Sequence, residues 1–246
     1  MTEPMRYSWA VESHVGLVRS ANEDSYAPRT DGIDDGPVLI AVADGMGGHA
    51  AGDVASRVAI EAATSNADDY AIDPVTRVEK ANKAVIDAVT ADPALAGMGT
   101  TLTLGSFGAD GTLRLAHVGD SRAYLRRNGV LQQLTSDDTV VAELVEAGHL
   151  SEEQARNHPR RHLVTQSIGM PGVGIETVEF ALTKGDIVLL CSDGLTGMIS
   201  DDLISELLAR GEGPSDAAWA LITAANAAGG HDNTTVAVVE VDPDAT

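Results

Sequence analysis

An α+β fold of antiparallel sheets covered by helices is what this sequence predicts, and two observations carry it. Strand-like segments come in consecutive runs joined by hairpin signals, and helical segments come in pairs. A doubly wound parallel sheet would need strand and helix to alternate regularly, which they do not do here. The 246 residues, 43% hydrophobic and 22% charged, suit one domain over 1–246 with a sizeable core.

The first strand is expected over residues 7–18. The second, 38–43, is six apolar residues running straight into Asp44, and helices at 52–66 and 74–90 follow with apolar residues at helical spacing. Strands at 100–107, 112–118, 121–127 and 130–134 come next, each with β-branched enrichment or alternation. Ala109-Asp110-Gly111 marks one hairpin, and Asn128-Gly129 suits a two-residue type I′ turn. Residues 136–168 form a polar, mostly helical insertion with a helix at 139–147. It could lie over a site as a flap or be a plain solvated excursion. Strands at 175–182 and 186–192, helices at 201–209 and 215–228, and a last strand at 234–241 complete the chain.

Charge narrows the possible partners. Sixteen Lys and Arg against 37 Asp and Glu leave −21, a field that repels nucleic-acid phosphates and anionic lipid and attracts cations. No nucleic acid is therefore expected as a partner. No basic segment leads into an apolar core at the start, and no uncharged run is long and continuous enough to span a bilayer. The single cysteine, Cys191, allows no internal disulfide, so a cytoplasmic location is expected.

Several catalytic signatures are present only in part. Gly45-Met46-Gly47-Gly48-His49-Ala50 has dinucleotide-fingerprint spacing between strand and helix. Yet Asp44 would repel a pyrophosphate, and a second helix follows instead of a parallel strand. Gly47 and Gly52 have P-loop spacing, but Asp53 stands where lysine is needed. Gly119-Asp120-Ser121 resembles the start of a serine-hydrolase motif, but no histidine has an aspartate three positions before it. Cys191 ends an apolar run, and Gly197 stands where a cysteine phosphatase needs arginine. His158 and His162 have i,i+4 spacing with Pro159 between them, which disfavours zinc.

The repeated feature is an aspartate directly behind a buried strand. Asp44-Gly45 follows one apolar run and Asp193-Gly194 another; Asp232 opens the last strand and Asp120 lies between two strands. In antiparallel sheets one strand's end shares an edge with its neighbour's start, so Asp44, Asp193 and Asp232 can converge on one rim. Carboxylates clustered without cationic partners repel unless cations occupy them. Oxygen ligands without thiolates point to Mg²⁺ or Mn²⁺, and the carbonyl of Gly45, unobstructed by a side chain, can complete a ligand shell.

At this point the residues resemble a known family. RSANED at 19–24, ADGMGG at 43–48, GTTL at 99–102, VGDSRAY at 118–124, LCSDGL at 190–195 and HDNTTV at 231–236 look like the successive motifs of the PPM, or type 2C, metal-dependent serine/threonine protein phosphatases of bacterial type. One motif alone is weak, but six in order are highly specific. The resemblance implies two packed antiparallel sheets flanked by helices, a four-layer sandwich, with two Mn²⁺ or Mg²⁺ ions at one end. It implies that Asp44 bridges both ions, that Asp193 and Asp232 hold the first, and that the Gly45 carbonyl holds the second. Asp120 would help Asp193 hold a weaker third ion. Glu23 and Asp24 would act through metal-bound water, Asn233 would orient neighbouring carboxylates, and Arg19 would grip the substrate phosphate.

The activity so implied is hydrolysis of phosphoserine and phosphothreonine in proteins by direct in-line attack of a metal-activated water, opposing a serine/threonine kinase. The catalytic residues would be Arg19, Asp44 and Asp193, and the enzyme is expected to be a monomer. Two departures stand out. Met46 replaces a histidine that many eukaryotic members use to protonate the leaving group, so that proton would come from a metal-bound water or from His158. Asp138 stands where a histidine is frequent. A fold kept only as a binding scaffold would have lost some carboxylates, and every expected one is present.

Overall fold

The computed structural model describes residues 4–47, 51–66, 73–156 and 158–241. In chain order the strands are β1 (Tyr7–His14), β2 (Asp24–Ala27), β3 (Gly32–Asp34), β4 (Val38–Met46), β5 (Gly99–Thr100), β6 (Leu102–Phe107), β7 (Thr112–Val118), β8 (Arg122–Arg127), β9 (Val130–Gln133), β10 (Glu176–Ala181), β11 (Ile187–Cys191) and β12 (Thr234–Val241). The helices are α1 (Ala51–Ala63), α2 (Pro74–Ala91), α3 (Val140–Glu146), α4 (Glu152–Arg156), α5 (Asp193–Thr196), α6 (Asp201–Arg210) and α7 (Pro214–Ala227).

The strands make two antiparallel sheets. One runs β3-β1-β12-β11-β8-β9; the other runs β10-β7-β6-β4-β2, with β5 also pairing β4. Alternation along β4 shows how they stack. Val38, Ile40 and Val42 point into a core shared with Tyr7, Leu125, Val188, Leu190 and Val239 of the opposite sheet. Leu39, Ala41 and Ala43 point the other way, onto Ala55, Ala59, Val78 and Val85 of α1 and α2. Both faces of β4 are therefore buried, which is why its sequence is continuously apolar and does not alternate. The outer face of the other sheet does the same with Leu189, Cys191, Val236 and Val238 against Ile204, Leu208, Ala218 and Leu221 of α6 and α7. The result is the four-layer helix–sheet–sheet–helix sandwich.

The helices are built for these seats. Small residues at Ala51, Ala55, Ala59 and Ala63 recur every fourth position and let α1 lie close on its sheet. Helix α2 starts with Asp73 accepting from the amides of Val75 and Thr76, with Pro74 in the first turn. Asn128, with φ of 52°, and Gly129, with φ of 83°, join β8 to β9 as the type I′ hairpin expected.

The structure corrects the sequence reading in four places. Strands β2 and β3 and the short helices α4 and α5 were not anticipated. The first strand stops at His14, because Gly16, with φ of 82°, turns the chain away. The strand expected over 100–107 is broken between Thr100 and Leu102. Among the described residues of 136–168, only Val140–Glu146 and Glu152–Arg156 are helical, and bridges from Thr139 to Val164 and from Thr100 to Ile168 tie the segment down. Among the described residues, no helix is long and apolar enough to cross a membrane.

Candidate metal centre

The aspartates gather where the chain crosses between sheets. Asp44 lies on β4 directly opposite Asp24 of β2. Cys191 at the end of β11 pairs with Val236 near the start of β12, so Asp193 and Asp232 leave neighbouring strands at the same edge. Asp120 sits in the short connection from β7 in one sheet to β8 in the other. The electrostatic consequence is direct. Burial first, then the carboxylates of Asp24, Asp193, Asp120 and Asp232, push Asp44 well above the ordinary aspartate range. Burial also pushes Asp24 and Asp120 up to about 7, with Asp193 the leading neighbouring charge for each. Five of the predicted residues thus share one field, and that field favours protons or cations.

The backbone of Asp44 is held by the threonines of β5 and the residue after it. Thr100 Oγ1 donates to the Asp44 carbonyl at 2.8 Å, and the Thr101 amide donates to the same carbonyl at 2.9 Å. The Asp44 amide donates to Thr101 Oγ1 at 2.9 Å, and that hydroxyl also meets Ser121 Oγ at 2.7 Å, one residue from Asp120. Every backbone polar group of Asp44 is therefore engaged.

Gly45 is glycine for reasons of space. A Cβ there would overlap the Gly52 carbonyl and lie 2.5 Å from the Glu23 carbonyl oxygen. Gly52 shows the same crowding, since a Cβ on it would sit 2.9 Å from both the Gly45 carbonyl oxygen and Glu23 Oε2. The two glycines let the Gly45 carbonyl and the Glu23 carboxylate approach one point. Gly48, His49 and Ala50, the rest of that turn, lie outside the described residues.

Asp24 and Asn233 connect the layers. Asp24 Oδ2 accepts from Ser192 Oγ at 2.9 Å and from Thr235 Oγ1 at 2.7 Å, across to the other sheet. Its Oδ1 is buried with no hydrogen-bond partner. Asn233 Oδ1 accepts from the Glu23 amide at 2.8 Å, and Nδ2 donates to the carbonyls of Val15 and Ala21, each at 2.9 Å. Its side chain thus holds the loop that carries Arg19, while its own amide donates to Asp232 Oδ1 at 2.9 Å.

Arg19 stands at the rim, about half exposed, with Nη2 on Asp232 Oδ2 at 2.7 Å. Its fork is thus engaged with one of the predicted ligands. The segment 136–168 brings His162, and not His158, toward the carboxylates. His162 Nδ1 lies 3.9 Å from Asp193 Oδ2, a charge contact too long for a hydrogen bond, and that carboxylate raises the imidazole's pKa. His158 Nδ1 instead accepts from the Arg160 amide at 3.2 Å. Asp138 caps the turn before Asp120, its Oδ2 accepting from the Gly119 amide at 2.9 Å. Cys191 is fully buried, and burial pushes its thiol up to about 12, so it offers no nucleophile.

The residues fit divalent cations that prefer oxygen. The buried orphan oxygen of Asp24 and the mutually repelling carboxylates call for positive charge at this edge, and the two glycines bring the Gly45 carbonyl and the Glu23 carboxylate together. Among the described residues, no three acidic, cysteine or histidine side chains close around a single point. Oxygen donors without thiolates are the ligand chemistry of Mg²⁺ or Mn²⁺. Thr100, Thr101, Ser192, Gly52 and His162 were not singled out from the sequence for roles here. The paired threonines of GTTL and HDNTTV were the available signal.

Known proteins resemble this chain along nearly its whole length. The protein phosphatase 2C family profile matches residues 17–231. The chain is 43% identical to the serine/threonine protein phosphatase PstP of Mycobacterium tuberculosis, over 98% of this chain and 46% of that protein. It thus spans less than half the length of that relative. It is 39% identical to the serine/threonine phosphatase stp of Listeria monocytogenes, over 92% of this chain and 93% of the relative. The crystal structure of Mycobacterium tuberculosis PstP superposes with a TM-score of 0.88 at 39% identity, covering 97% of this chain and all of that one. The PstP catalytic domain in complex with two manganese ions superposes with a TM-score of 0.87, with the same identity and coverage.

Proposed function

The chain belongs to the protein phosphatase 2C family, and from that premise we propose that it hydrolyses phosphoserine and phosphothreonine in proteins, opposing a serine/threonine kinase. The observation that carries the reading is the shared field of Asp44, Asp24, Asp193, Asp120 and Asp232 at one sheet edge. Asp44, Asp193, Asp232 and the Gly45 carbonyl would hold two Mn²⁺ or Mg²⁺ ions, and Asp120 with Asp193 a weaker third. When bound, such ions supply Lewis-acid activation of water and neutralise charge on the phosphate.

The protein's own groups do the rest. In the reaction a water oxygen bonds to phosphorus, the bond from phosphorus to the seryl or threonyl oxygen breaks, and a proton reaches the departing alkoxide. Arg19, on a loop pinned by Asn233, would turn its fork from Asp232 to two phosphate oxygens, a planar match that lysine lacks. Thr100 and Thr101 hold Asp44 in place, and the Asp24 link to Ser192 and Thr235 keeps the two sheets in register beneath it. Met46 carries no proton, so the flap imidazole of His162, near Asp193, is the side chain best placed to serve the leaving group or to orient it.

The test is turnover of p-nitrophenyl phosphate and a phosphothreonine peptide by chelator-treated protein, before and after adding Mn²⁺. Recovery only with metal supports the reading. Full activity after thorough chelation would sink it.

A further inference from the structure

Beside the carboxylates lies an open depression of about 330 Å³ whose main walls are Met46, Ile86, Val89, Met98, Met170 and Pro171. Among the described residues no charged side chain lines it, although the chain carries a net charge of −21. One wall is continuous with the candidate metal centre. Met46 ends the strand that bears Asp44 and Gly45, and it pairs with Gly99 next to Thr100. The facing wall is the last turns of α2, with Ile86 and Val89 three positions apart. Met98 forms a buried floor, and Met170, 44% exposed, forms the lip.

The depression is preformed. The Gly169 amide donates to Asn82 Oδ1 at 2.7 Å, and Asn82 Nδ2 donates to the Met170 carbonyl at 3.1 Å, so the turn bearing the lip is fastened to α2. A Cβ on Gly169, whose φ is 105°, would crowd the Met98 carbonyl at 3.1 Å. Three of the six methionines in the chain meet here. Their flexible, polarizable side chains suit a surface that accepts several apolar shapes.

We propose that this depression is a docking subsite for one apolar side chain of the phosphoprotein substrate. It deepens the phosphatase reading above and rests on it. An extended peptide advances about 3.3 Å per residue, and Met46 lies two residues along β4 from Asp44. A side chain about two to four residues from the phosphorylated residue therefore reaches the depression while the phosphate faces the carboxylates. An acidic chain gains little from acidic flanks on its substrate, so an uncharged foothold beside the metal centre is where discrimination can arise. Leucine, methionine and phenylalanine are the side chains it would favour.

The experiment uses phosphothreonine peptides carrying one leucine, at each position up to about four residues either side, in a background of alanine and serine. The Mn²⁺-loaded protein is assayed on these and on p-nitrophenyl phosphate, which has no flanking residues. Leucine at one or two positions on one side should raise kcat/KM about five- to thirtyfold over alanine, mainly through KM. Val89→Trp, which fills the depression, and Met170→Asp, which charges its lip, should each shrink that advantage below about twofold. If Val89→Trp does not fold, Met170→Asp, on an exposed turn, decides the matter. A flat peptide series with good p-nitrophenyl phosphate turnover would overturn the subsite alone. A leucine advantage undiminished in the folded variants would overturn it equally. No turnover of p-nitrophenyl phosphate or any peptide would overturn the phosphatase reading and the subsite with it.

Discussion

Thr101 accepts the amide of Asp44 on its side-chain hydroxyl at 2.9 Å, although the two residues lie 57 positions apart in the chain. That hydroxyl also contacts Ser121 Oγ at 2.7 Å, and Asp120 is the preceding residue. One threonine thereby couples the placement of two acidic residues, one on β4 and one in the connection from β7 to β8.

Thr101→Val keeps the shape and removes the polar atom, leaving the Asp44 amide and the Ser121 hydroxyl without their partner. An unsatisfied buried donor costs about 1–3 kcal/mol, which urea unfolding should show as a lower midpoint with an unchanged slope. Mn²⁺ affinity by calorimetry should also fall, and Thr101→Ser should restore most of both. A Val variant as stable as the parent, with the same affinity, would remove Thr101 from this role.

Asp44→Asn and Asp193→Asn should each lose most of the phosphatase rate and weaken Mn²⁺ binding. Neutralising one member of a crowded acidic field should also stabilise the metal-free protein, because Asp44 is pushed up by burial and by its neighbours. Thermal unfolding in chelator tests the second half. A metal-free Asp44→Asn less stable than the parent would contradict the repulsion argument.

Arg19→Ala should lower kcat/KM on a phosphopeptide by about ten- to a hundredfold, the loss of roughly 1.5–3 kcal/mol in a charged hydrogen bond. Arg19 now sits on Asp232 at 2.7 Å, so its removal frees that carboxylate, and Mn²⁺ should bind equally well or more tightly. Arg19→Lys should recover only part of the rate. Weaker Mn²⁺ binding in Arg19→Ala would show that the arginine organises the centre and does not compete with the metal.

The metal-free protein should lose stability as pH rises from about 4 toward 7 and above. Asp24 and Asp120 are raised to about 7 and Asp44 is raised as well, so the folded state binds their protons more tightly than the unfolded chain does. Their stabilising contribution is complete below the unfolded aspartate pKa and is gone once pH passes the folded values. Mn²⁺ competes with those protons, so it should raise the melting temperature more at pH 7.5 than at pH 5. Scanning calorimetry at both pH values, with chelator or with Mn²⁺, checks the sign.

Local sequence determined the core strands and the identity of the acidic residues. β4 was legible because six adjacent apolar residues, buried on both faces, end at Asp44, and β11 because five apolar residues precede Ser192 and Asp193. Gly45 was legible as a position without a side chain, although crowding by Gly52 and Glu23 is the physical cause. Strands β2 and β3 were not legible, since elements of four and three residues exist only through partners far along the chain. Tertiary structure alone decided that Asp24 faces Asp44 and ties Ser192 to Thr235. It also decided that His162 and not His158 approaches Asp193, and that Arg19 rests on Asp232, 213 positions away. The reason is the same in each case. Periodicity reports which face of an element is apolar, whereas the distance between residues on different sheets is set by how those sheets pack.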